Sequence, residues 1–146
     1  MENQKNNFNE LFFAKEINEL VKNCIFNNDI LSLQFLFKYY EFKQINLIQA
    51  VVFSLVNKNY FIADFFIENI KNLNINFKRN IFSQLLITLN QQNIHIDNLI
   101  DLCEVKKYEN LIIVCKMQKE LKNNFIDWKE AIKNNSLEKI KKIINN

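Results

Sequence analysis

The sequence predicts an all-α chain, an α-solenoid of stacked antiparallel helix pairs. Three observations carry that expectation. The 146 residues contain no Gly and no Pro, which removes the residues on which tight hairpins, phosphate-cradling loops and sharp breaks depend. Apolar residues recur at helical spacing nearly everywhere. Four short polar breaks interrupt that pattern in similar ways, and similarity at intervals is the mark of a repeat.

The elements follow in order. Phe8, Leu11, Phe12, Ile17, Leu20, Val21, Cys24 and Ile25 outline a first helix, and "NNDI" ends it. Asp29 is placed to cap a second helix through Leu33, Leu36 and Phe37. A third covers Leu47–Val56; "NKN" follows, then a fourth to Asn69. "NLNINFK" (72–78) alternates briefly and reads as a loop. A fifth helix spans Ile81–Leu89, "QQN" follows, and a sixth runs to Val105. "ENLIIVCKMQKELKN" is the seventh, and "FIDWKEAIK" and "LEKIKKII" form a final pair. The whole is expected to be one helical repeat domain with units at about 9–41, 46–71, 80–105 and 109–146.

Stacking "CIFNNDILSLQFLF", "SLVNKNYFIADFFI", "TLNQQNIHIDNLID" and "AIKNNSLEKIKKII" aligns a small residue, two spacers, a polar triplet and an apolar helix. The small residues are Cys24, Ser54, Thr88 and Ala131. They let the following helix approach closely before its apolar stripe lies on the first helix and on the neighbouring pair. The third unit fits worst, with Asp97 and Asp101 at positions the others give mainly to apolar residues.

The pattern resembles the ankyrin repeat, whose first helix carries a small residue and whose second begins after an Asn-Gly-Asp/Asn turn. "KNNSLEKIKKII" (133–144) and "NNDILSLQFLF" (27–37) match it best. The Thr-Pro-Leu-His opening is absent, and Asn28, Lys58, Gln92 and Asn135 stand where the family has Gly. The offsets between units are 30, 34 and 43 residues instead of the family's regular length. The resemblance implies protein recognition through the turns and the outer side of each first helix. Carried over, this assigns protein contact to Asn23, Asn28, Phe53, Lys58, Tyr60, Ile87 and Gln92.

Composition narrows the alternatives. Net charge is +3, and Arg79 is the sole Arg. Bidentate clamping of phosphates or base edges is therefore not favoured. Lys116, Lys119, Lys122, Lys129, Lys133, Lys139, Lys141 and Lys142 gather toward the C-terminus near Trp128. They make a nucleic-acid-binding helical protein the second reading. A structural homo-oligomer that buries the surplus of fourteen Phe is the third.

No chemistry is expected. His95 is the one histidine, so any His-activated nucleophile would need it; it reads as an exposed or capping residue. Asp97, Asp101 and Glu104 share a helical face and read as solvated, or as a surface for a basic partner. Cys24 and Cys115 read as core thiols and Cys103 as partly exposed. No metal, no cofactor and no membrane span is expected: the longest uncharged run, Gln44–Asn57, is too short and too polar to cross a bilayer. The polar opening "MENQKNNFNE" has no signal-peptide pattern. The expectation is a cytoplasmic protein, or one delivered into a host cytosol. It is a non-catalytic module that binds or blocks another protein, an adaptor, effector or inhibitor. The 26 Asn, with many Ile, Lys and Phe, suit a microbe, phage or virus with an AT-rich genome.

Overall fold

The structure is a computed structural model that describes residues 15–40, 46–73 and 75–133, with backbone alone over 75–79 and 126–133. All elements are helical, and no strand occurs among the described residues. In order they are α1 (15–26), α2 (Ile30–Tyr39), α3 (Leu47–Val56), α4 (Tyr60–Lys71), α5 (Ile75–Gln91), a 3-10 turn (Asp97–Leu99), α6 (Ile100–Lys106) and α7 (Leu111–Lys133). The chain divides into two compact units, Met1–Ile94 and His95–Asn146. The division falls inside the third expected segment, 80–105.

In the first unit α1 presents Ile17, Val21 and Ile25 to the core at four-residue spacing. Asp29 starts α2, its carboxylate accepting from the Ser32 N–H at 3.1 Å and the Ser32 hydroxyl at 2.6 Å. Asn46 starts α3 by accepting from the Gln49 N–H at 3.1 Å. Helix α3 is β-branched and a modest helix former alone. Packing decides its structure: Leu47, Ala50, Val51, Val52, Ser54 and Leu55 are all buried, and α4 and α5 lie against it. The Ser54 hydroxyl donates to the Ala50 carbonyl at 2.7 Å, so this buried polar group is satisfied within its own helix. Helix α4 contributes Ile62, Ala63, Phe66, Ile67 and Ile70, and α5 contributes Ile81, Leu85 and Leu89.

The first and second helix pairs touch through side chains of both. Asn18 of α1 accepts from the Asn46 N–H at the start of α3, at 3.1 Å. The Asn59 side-chain amide donates to the Ile25 carbonyl, joining the two turns. Phe37 of α2 meets Phe65 and Phe66 of α4 edge-on, at 5.4 and 5.5 Å between ring centroids.

In the second unit α7 buries Leu111, Val114, Cys115 and Gln118 against the 3-10 turn and α6. The Gln118 carbonyl oxygen accepts from the Ile96 N–H at 2.7 Å and the Asp97 N–H at 3.1 Å. One side chain from a distant helix thus satisfies two backbone donors that a helix start leaves open.

Several expected elements are corrected. "NLNINFK" is not wholly loop, because α5 begins at Ile75; extending a formed helix backward costs far less than nucleating one. "ENLIIVCKMQKELKN" and "FIDWKEAIK" are one continuous helix to Lys133. The pair Asn123-Asn124 between them lowers helix propensity by only tenths of a kcal/mol each, up to about 0.7. Phe8, Leu11, Phe12 and the last helix "LEKIKKII", with Asn135, lie outside the described residues.

Candidate interaction surface

The turns explain how a chain without Gly makes hairpins. Asn28, Lys58, Asn93 and Lys107 adopt φ of 55°, 60°, 56° and 60°. At each, the next N–H reaches back five residues: Asp29 to the Cys24 carbonyl, Asn59 to Ser54, Ile94 to Leu89 and Tyr108 to Cys103, at 2.8–2.9 Å. This is the Schellman helix ending, which prefers Gly at the left-handed residue and takes Asn as its usual substitute.

Asn28 and Lys58 therefore hold the turn position expected of them. Gln92 does not: the left-handed residue is Asn93, so the third register shifts by one and Leu89, not Thr88, matches Cys24 and Ser54. The sequence reading also missed a fourth such turn. In "CEVKKY" (103–108), Cys103 is the small residue and Lys107 the left-handed one. Its signal, a small residue four positions before a Lys, was hidden by the absence of any Asn.

Of the residues assigned to protein contact, Asn23, Asn28, Lys58, Ile87 and Gln92 are exposed, while Phe53 and Tyr60 are half-buried. Asn28 and Lys58 sit at neighbouring turns, which the Asn59–Ile25 bond joins. Tyr60 opens α4 beside them, Asn23 and Phe53 lie in the last turns of α1 and α3, and Ile87 and Gln92 belong to α5 and its end.

An exposed apolar stripe lies elsewhere. Leu31, Phe35 and Tyr39 form a stripe along α2 at four-residue spacing, 75%, 63% and 63% exposed. The Phe35 and Tyr39 rings are 4.6 Å apart. Leu31 and Phe35 line an open groove with Ser32 and Leu36 of α2 and with Leu20 and Cys24 of α1. Lys38 at the C-terminal end of α2 stands 5.8 Å from the Tyr39 ring centre, and Asp29 stands at its N-terminal end. Bonding to Ser32 holds the Asp29 carboxyl below the ordinary carboxylate range. The sequence reading assigned Leu36 to the apolar stripe of α2 and gave Leu31 and Phe35 no role, because periodicity shows which residues share a face and not which face is covered.

The candidates for chemistry separate. His95 is exposed. Asp97 belongs to the 3-10 turn and not to the helix that carries Asp101 and Glu104. It is paired with Lys122 at 2.6 Å, and that ammonium holds its carboxyl below the ordinary range. Lys122 thereby leaves the basic group, of which Lys116 and Lys119 are exposed on α7. Lys129, Lys133, Trp128 and Ala131 lie on α7 where backbone alone is described, and Lys139, Lys141 and Lys142 lie outside the described residues. Cys103 is buried and not partly exposed, a correction that follows from α7 covering α6. Burial first, and Cys103 beside it second, push the Cys115 thiol up, away from the reactive thiolate. The three cysteines are free thiols. Among the described residues no group of three or more His, Cys, Asp or Glu is arranged to hold a metal ion, and no helix is long and apolar enough to cross a membrane.

No protein-family model matches the sequence, and neither a curated protein nor a solved structure is significantly similar to it.

Proposed function

We infer that the chain is a non-catalytic protein-binding module, and that its first unit is a short ankyrin-like array of stacked helix pairs. The stacked reading is supported by how the pairs meet: first helix beside first helix through Asn18 and Asn46, second beside second through Phe37 and Phe65–Phe66, and turn beside turn through Asn59.

The single observation that carries the function is the α2 stripe. A contiguous apolar patch of a few hundred Å² on a protein surface is often the functional one. Aromatic side chains in such a patch concentrate binding energy once water is excluded. The surface therefore runs along α2 and α1, with the turn residues Asn28, Lys58 and Tyr60 at one end of the same helix pairs.

Photo-crosslinking tests this reading. A benzophenone side chain in place of Phe35 is expected to capture a protein chain in an extract of the source cells, and capture is expected to fall at least tenfold when Leu31→Lys is added. A probe that reacts only with solvent contradicts the function.

A further inference from the structure

The first two helix pairs repeat at an interval of 30 residues: Cys24 and Ser54 begin matching turns, as do the left-handed Asn28 and Lys58. That register identifies what the open groove is built to receive. The second pair faces the first across a cavity lined by Ala50 and by Val21 and Lys22 of α1, and meets it through Phe65 and Phe66, which touch Phe37. Thirty residues earlier stand Leu20, Phe35 and Leu36, and all three line the open groove. Ala50 is 5% exposed where Leu20 is 47%, and Phe66 is fully buried where Leu36 is only partly so. The groove is thus the stacking face of a helix pair with no pair described on it.

We propose that a second copy of this chain closes the face, in a two-fold dimer whose α2 helices run antiparallel across each other at Phe35. The proposal rests on the reading of this surface as protein-binding and names its occupant. Within the first unit the opposite faces of both pairs are occupied: the second pair meets the first through Phe37, and α5 lies against the second. A two-fold interface brings the same face of both copies together, which an open end face can meet face to face.

Size and charge agree. Leu20, Leu31, Phe35 and Tyr39 together expose on the order of 400 Å² of apolar side chain. A standard interface covers about 800 Å² per partner, roughly 60% of it apolar. Antiparallel crossing at Phe35 sets Leu31 opposite Tyr39 and Ser32 opposite Lys38. Each Lys38 then lies within one helical turn of Asp29 on the other copy, and the two helix dipoles oppose.

Sedimentation of the purified 146-residue chain is the test, run from about 1 to about 100 μM. The expected mass is twice the 17.6 kDa of one chain. Phe35→Lys is expected to return it to one chain with unchanged helical circular dichroism, and Lys38→Glu to weaken association about tenfold. In a Cys24→Ser background, Phe35→Cys is expected to give a disulfide-linked dimer on oxidation, since residue 35 faces itself across the axis. A chain that stays monomeric throughout overturns the proposal. If the benzophenone at 35 still captures another protein, the protein-binding reading survives that failure. If it labels only residues 1–14 of its own chain, or nothing, both fall.

Discussion

Asn28, Lys58, Asn93 and Lys107 show how single residues set the architecture of a chain without Gly. Left-handed backbone costs a residue with a Cβ about 1–2 kcal/mol, and Asn bears it best. Lys58 has no such excuse. Replacing Lys58 with Gly is expected to raise stability by about 1 kcal/mol, net of the entropy Gly loses on folding. Lys58→Val is expected to lower it by at least as much, because β-branched residues avoid this region. Chemical denaturation measures both. Asp97 sets a second expectation. Its carboxyl is held below the ordinary value by Lys122. Its contribution is therefore fully present above the unfolded aspartate pKa of about 3.9 and is lost as pH falls through the lower folded value. In Lys122→Met this acid-side loss should shrink, seen as a smaller difference in unfolding midpoint between about pH 6 and about pH 3. The pair is partly exposed, so the effect is small and screened by salt.

Helices α3 and α7 mark how much of the element pattern the sequence made legible. Helix α3 was legible, since Asn46 and Asn57 bracket an uncharged, mostly apolar run. Helix α7 was not. Its Asn-Asn pair looks like the breaks at Asn27-Asn28, but no left-handed residue interrupts it among the described residues. Asn is permissive of a break without demanding one, and neighbouring packing decides. The α6–α7 turn hid for the converse reason, because Lys took the left-handed position. Gln118 was invisible for a different reason: its role depends on backbone donors more than twenty residues away. Gln118→Leu keeps the volume but leaves the Ile96 and Asp97 N–H groups buried without that acceptor. It is expected to cost roughly 1–3 kcal/mol. Gln118→Glu, which keeps an acceptor, should cost less in thermal unfolding at neutral pH.

Across the molecule, the all-helical class followed from composition and periodicity, and the first two helix pairs followed from Cys24, Ser54 and the polar triplets behind them. The proposed binding face did not. Nothing in the sequence singles out Leu31 and Phe35, and only the placement of α1 and α2 leaves them open. The residues carried over from the ankyrin resemblance lie at the turns and near helix ends, while the exposed apolar surface runs along α2. The proposed dimer depends on the first helix pair stacking on the second in a 30-residue register. The most direct test is a double-mutant cycle between Phe37 and Phe66, each changed to Leu, followed by denaturant unfolding. Stacking predicts a coupling of about 0.5–1.5 kcal/mol between the two rings. A coupling of zero, with each single change additive, would mean that the two pairs do not meet there.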